Sequence, residues 1–419
     1  MKKAYALIFS SVLIGSLFSA PAFGAIKAGS ACNKAGSTSI VSGKKFICIK
    51  IGKKLVWDKG TLIPVAEPSS KPTDAPSTLP STSTSTSISN SSASSAKTVY
   101  KAPTSFQDLS ENYKGIAKAA WDAGSAQIAN SAPLNVTVNV LVGPNTVPTN
   151  PNPLVAISRT ISLYSGIPSP QVTHLIAFSQ TDIDWAKPKY EALQDQTWRQ
   201  DYSTFIQSHC PDITCNVGNT QVNNSGQVII TLGEYSDLSK EEREKFQLNR
   251  FDGELEAHEF THGIQITTAK NFSYGNMPVW LLEGMATWSE GPVAAKNFDD
   301  YEKLRDFRVG QLFQQPNAYN FEWVNTFLNP NPNLKPGQDN RVYWSSYDRF
   351  RPYDVGSLAV EALVALKGPT TAMRMFVDVG EGLSFIEAFQ KEYGISWSDA
   401  CPLISKAIAL EIKDGPVTK

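Results

Sequence analysis

Two histidines four residues apart, His258 and His262, bracket a glutamate in the proline-free stretch Gly253-Glu-Leu-Glu-Ala-His258-Glu259-Phe-Thr-His262-Gly-Ile-Gln265. Such a stretch reads as a helix, and a spacing of four is just over one turn. Both imidazoles then leave the same face and can reach one metal ion. Glu259 lies about 100° round from His258, close enough for its carboxylate to approach a metal-bound water without being a ligand itself. A third ligand is offered twenty-one residues after His262 by Glu283, in Met277-Pro-Val-Trp280-Leu-Leu-Glu283-Gly-Met-Ala-Thr-Trp288-Ser-Glu290. Two imidazoles and one carboxylate around Zn2+ leave a fourth position for water, the ligand set of hydrolytic rather than structural zinc.

Around these residues the chain falls into parts. Residues 1–24 begin with two lysines, continue in an apolar run from Ala4 to Phe18 and end in small residues, the pattern of a secretory signal peptide. Cleavage after Ala22 and after Gly24 both suit it. Export is expected to leave the chain secreted or associated with the cell envelope, and thiols in that setting tend to pair. The local pairs are Cys32 with Cys48 and Cys210 with Cys215. Cys401 is left over in an amphipathic terminal segment, as a buried structural thiol.

Residues 25–62 combine Cys32, Cys48 and Trp57 with short alternations such as Lys45-Phe46-Ile47-Cys48-Ile49, which suggests a small disulfide-stapled β module. It resembles small modules carried by exported actinobacterial proteins. Residues 63–99 are almost entirely Ser, Thr, Pro and Ala, too poor in apolar side chains to offset their ordering entropy, and are expected to form a disordered linker. With 38 basic and 39 acidic residues the formal net charge is -1. There is therefore no basic footprint for nucleic acid or anionic lipid, and neither is expected as a partner. No segment after the first is apolar enough over ~20 residues to span a bilayer.

The body, 100–419, is expected to be α+β. Helical patterns run from Phe106 to Ile128, Leu154 to Tyr164 and Trp185 to Phe205, interleaved with strands at Leu134–Val142, Val172–Phe178 and Gln227–Leu232. Beyond Lys240 the pattern is largely helical. His174 and His209 have no ligand spacing, and Trp121, Trp185, Trp198 and Trp280 read as core or cleft wall. The run Glu241 to Lys245 reads as a solvated helix start.

His258-Glu259-x-x-His262 followed by Trp280-Leu-x-Glu283-Gly-x-Ala286 resembles the gluzincin metallopeptidases, in particular the peptidase MA-like families related to aminopeptidase N and leukotriene A4 hydrolase. The resemblance covers the body from about Leu134, with a late Gly-x-Ser-Phe-x-x-Ala-Phe at Gly382 to Phe389 and Tyr393-Gly394. It implies a thermolysin-like zincin domain with a mostly helical C-terminal part from about Val293, a cleft between the two, and a peptide or protein substrate. It further implies that Glu290, seven residues after Glu283, orients a zinc-bound histidine. Tyr353, in Arg351-Pro-Tyr353-Asp-Val-Gly356, would be a donor to the oxyanion, with Tyr347 its competitor. The family's Gly-x-Met-Glu-Asn signature is not found upstream of His258, so endopeptidase and exopeptidase action both stay open. A strand at Val228 to Thr231 is expected to offer its edge to an extended peptide. Two other readings remain: a noncatalytic envelope-binding protein with a zincin-like body, and a zinc amide hydrolase acting on a cell-wall substrate.

Overall fold

The structure is a computed structural model that describes residues 27–32, 35, 38–41, 44–62, 100–130, 136–194, 202–210, 215, 217–234, 252–269, 277–329 and 350–416. The expected signal peptide, the linker, Trp198, the run from Glu241 to Lys245 and Tyr347 lie outside them.

The N-terminal module is a four-stranded antiparallel sheet: β1 (Thr38–Val41), β2 (Lys44–Ile51), β3 (Lys54–Trp57) and β4 (Thr61–Leu62). β2 pairs with each of the other three. Cys32 is joined to Cys48 in β2, as the local spacing suggested.

The body begins with α1 (Ile116–Asn130), preceded by two short 3-10 turns where a continuous helix from Phe106 was expected. At Gly115, where the second turn runs into α1, the incoming chain crosses tightly: a Cβ there would sit 2.0 Å from the Lys101 carbonyl oxygen. Then follow β5 (Thr137–Val142), α2 (Pro153–Leu163), β6 (Val172–Phe178), α3 (Ile183–Leu193), α4 (Tyr202–His209), β7 (Gly218–Val222) and β8 (Val228–Gly233). The sheet order is β5-β6-β8-β7, the first three parallel and β7 antiparallel. This corrects the expected peptide edge. The strand at Val228–Gly233 is interior, hydrogen-bonded on both sides and buried at every residue, and the edge next to it belongs to β7. β7 escaped sequence reading because Gly-Asn-Thr-Gln-Val has no apolar alternation, which is what a partly exposed edge strand tolerates.

Two helices carry the expected ligands, α5 (Glu254–Ala269) and α6 (Val279–Ala294). Among the described residues α7 (Phe298–Gln314), α8 (Phe321–Leu328) and α9 (Arg351–Gly380) follow the second. The chain ends in α10 (Phe385–Tyr393) and α11 (Trp397–Asp414). α5 lies close on the sheet because Gly263 has no side chain: a Cβ there would be 3.1 Å from Val228. α6 is buried along its whole length, between α5 and α9. At the α6–α9 crossing Gly284 faces Gly356, where a Cβ on the first would meet the second's carbonyl carbon at 2.2 Å. Both glycines belong to the fragments that carry the family resemblance, so their place in the sequence has a packing reason.

Behind α6, Trp280 stacks on Trp397 with centroids 5.4 Å apart, and Phe385 and Phe389 stand edge-on to the same Trp397. The late pattern at Gly382 to Phe389 is thus a helix start. Ser384 and Glu387 form a reciprocal capping box and the two phenylalanines enter the core. Gly394 ends α10 in the left-handed conformation at φ 75°. Arg305 on α7 is buried between Glu361 on α9, at 2.7 Å, and Glu411 on α11, which ties three helices together behind the ligand pair.

Candidate metal centre

Two contacts fix α5 against α6. The Thr261 and Ser289 hydroxyls lie 2.9 Å apart, and Gln265 Nε2 donates to the Leu282 carbonyl at 3.0 Å. With the helices held this way, His258, His262 and Glu283 converge, their ligand-capable atoms all within 4.8 Å of one another. The two Nε2 atoms are 3.2 Å apart, and Glu283 Oε2 lies 3.6 Å from that of His258 and 3.3 Å from that of His262.

The other nitrogen of each ring decides what those Nε2 atoms offer. His258 Nδ1 is 2.8 Å from Glu290 Oε1, and an ionised carboxylate can only accept, so Nδ1 carries the hydrogen. His262 Nδ1 is 2.8 Å from Gln265 Oε1. Because the amide nitrogen of Gln265 is committed to the Leu282 carbonyl, its oxygen must face the ring, and Nδ1 again donates. Both Nε2 atoms then present lone pairs to the same point, and Glu283 Oε2 presents a third from a buried position without a hydrogen-bond donor. Three converging lone pairs repel unless a cation lies among them, and the donor set fits Zn2+.

The electrostatics ask for the same cation. Glu254, Glu259, Glu283 and Glu290 are all buried on these two helices, and Arg308 of α7 pairs with two of them, Glu254 and, at 2.7 Å, Glu290. Burial alone would push the His258 imidazole down. The neighbouring Glu283 and Glu290 carboxylates outweigh it and hold the ring protonated up to about 10. The His262 imidazole is displaced in the same direction, burial again being outweighed, chiefly by Glu283. Burial would raise the carboxyl of Glu283, but the two imidazoles hold it well below the usual carboxylate range. The same buried carboxylates would stabilise a cation held between the two rings.

Glu259 is not one of the three converging groups, and its carboxylate reaches β7. Its Oε2 lies 2.8 Å from the Thr220 hydroxyl, which also reaches the Glu259 carbonyl oxygen at 2.7 Å. Gly218 gives it room, since a Cβ there would come within 2.3 Å of Oε1. Tyr353, in the first turn of α9, lies parallel to the His258 ring with centroids 5.8 Å apart and planes 16° from each other. All six residues singled out in the sequence, His258, Glu259, His262, Glu283, Glu290 and Tyr353, are therefore in one place.

Gln265, Arg308, Thr220 and Gly218 complete the site and were missed. Gln265 alone had a local signal, three residues after His262 on the same helical face. His174 and His209 serve the sheet instead. The first lies 3.1 Å from Gln227 Oε1, and the second 3.1 Å from the Thr231 hydroxyl. Cys210 and Cys215 are paired, and Cys401 is buried and free, its Sγ 3.5 Å from Asn325 Oδ1.

No family model matches the sequence, and no curated protein matches it. Among solved structures, an M1 zinc metallopeptidase from Deinococcus radiodurans aligns with 66% of this chain and 49% of its own, at 15% identity and a TM-score of 0.33. A mutant of that enzyme with bound Tyr-Ser-Ala substrate aligns at 15% identity and a TM-score of 0.32, over 65% of this chain and 48% of its own. A two-domain M1 zinc metallopeptidase mutant bound to L-arginine gives 16% identity and 0.32, over 65% and 48%. The chain spans about half the length of these structures.

Proposed function

We propose that the body is a zinc-dependent peptidase, with the metal held by His258, His262 and Glu283. The observation that carries this reading is the convergence of three buried lone pairs, two of them oriented from behind by Glu290 and Gln265. Zinc bound there would supply Lewis acidity towards a substrate carbonyl and a lowered pKa for a water. Glu259 takes the proton from the attacking water and passes it to the leaving amine, a shuttle for which a carboxylate beside the ligands, and not among them, is suited. Thr220 fixes the carboxylate by one oxygen. The phenol of Tyr353 donates to the oxyanion as its charge develops.

Substrate follows from the edge strand. β7 borders Glu259, and an extended peptide paired along it would bring a backbone carbonyl past the general base. The chain is proposed to be exported by residues 1–24. The two disulfides are compatible with an extracellular protein, and no helix of the described residues is long and apolar enough to cross a membrane. Residues 63–99 then act as a tether between the N-terminal module and the enzyme, with the module holding the protein at the cell envelope.

The test is turnover of a peptide library by the purified mature protein, set beside Glu259→Gln. Cleavage by the wild type and a loss of at least about a hundredfold in the variant are expected, the range of a general base. A metal-loaded protein that cleaves no peptide would overturn the peptidase reading in favour of a cell-wall amide or a noncatalytic binding role.

A further inference from the structure

The whole-chain charge of -1 conceals two oppositely charged parts. Residues 25–62 hold eight lysines and one acidic residue, a formal charge of +7, whereas residues 63–419 hold 28 basic and 38 acidic residues. That one carboxylate, Asp58, is used inside the module: its Oδ1 accepts the backbone N–H of Ile47 at 3.0 Å and that of Gly60 at 3.0 Å. Lys27, Lys50, Lys53, Lys54 and Lys59 are all exposed.

The module's sheet is two-sided. Phe46 and Cys48 alternate inward along β2, and the Cys32–Cys48 disulfide staples that side. Ile47, Ile49 and Ile51 alternate outward, 37%, 38% and 60% exposed. β3 continues this outer face, with Val56 opposite Ile49 and Lys54 opposite Ile51. Gly52, at φ 62°, and Lys53 form the turn between the strands, so the hairpin tip presents Ile51 beside Lys53 and Lys54, while Lys50 alternates to the disulfide side. An outer face selected only for solubility would carry Thr or Lys where these isoleucines stand.

We infer that this face docks on an anionic phospholipid bilayer. A soluble polyanion would be recognised by the lysines alone and would leave the isoleucines in water. A bilayer rich in anionic headgroups answers both, with phosphates for the lysines and the headgroup–acyl boundary for the aliphatic strip. None of the described residues of this module belongs to the His258, His262 and Glu283 group, so the inference deepens the proposed envelope association and stands apart from the peptidase reading.

Co-sedimentation of the mature full-length protein with vesicles tests it, using phosphatidylcholine alone or mixed with phosphatidylglycerol. The protein is expected to bind only the anionic vesicles, and at least about tenfold more weakly at ~1 M salt, where screening shortens to a few ångström. Lys53→Glu with Lys54→Glu should weaken binding by more than roughly tenfold, since each lysine near such a surface is worth about a factor of five. Ile49→Ser with Ile51→Ser should weaken it comparably, with the Cys32–Cys48 bond checked by mass spectrometry and peptide turnover in solution unchanged. The Glu259→Gln protein should bind like the wild type, so loss of the peptidase reading would leave this result intact. Absence of binding to anionic vesicles would overturn the inference. So would binding that ignores the isoleucine changes and is matched by soluble polyphosphate, which would make the partner an anionic polymer.

Discussion

The two sides of the candidate metal centre are built from different materials. Behind His258 stands an ionic chain: Glu290 on the ring nitrogen, then Arg308, then Glu254, drawn from α5, α6 and α7. Behind His262 stands a neutral one, the Gln265 amide and the Leu282 carbonyl. Both fix a tautomer, and both aim an Nε2 lone pair at Glu283. Only the ionic side adds full charge next to the ring, and a carboxylate partner raises the basicity of an imidazole ligand where an amide merely orients it. Orientation and ligand strength are thus separable, and this centre divides them between its two histidines.

Unequal losses should follow when each support is removed. Glu290→Ala deprives His258 of its acceptor and removes one of the carboxylates paired with Arg308. Zinc affinity, measured by competition with a chromophoric chelator, is expected to fall by about a hundredfold, the upper end for a lost ligand support. Gln265→Ala removes only a neutral acceptor, and the same titration should show a drop of roughly tenfold. An equal or larger loss in Gln265→Ala would break the comparison. The smallest effect belongs to a thiol that neither side uses. Burial pushes Cys401 up to about 12, so at pH 8 it remains protonated and inert. Iodoacetamide should leave zinc affinity unchanged and label Cys401 only after unfolding, as read by mass spectrometry.

Much of the centre was legible because its parts obey short-range rules. The spacing of His258 and His262 on one helix, and the start of a second helix bearing Glu283 and Glu290, are set by the geometry of a helical turn. Residues that act across elements left no such trace. Arg308 is eighteen positions beyond Glu290 on another helix, and Thr220 reaches Glu259 from a strand almost forty residues upstream. The strands β6 and β8 are visible as apolar runs, but their order is not, so the sequence pattern marks neither β8 as interior nor the polar β7 as an edge. Averaging hid the last feature: a balance of -1 over 419 residues cannot show that one short module is strongly basic.

Metal content and X-ray absorption of the purified mature protein test the central claim most directly. One zinc per chain is expected, with imidazole nitrogens and a carboxylate oxygen at about 2.0–2.2 Å, and the metal should be lost from a folded Glu283→Ala variant. A well-folded wild type that binds no metal from a zinc-containing buffer, or holds it equally well without Glu283, would contradict the account.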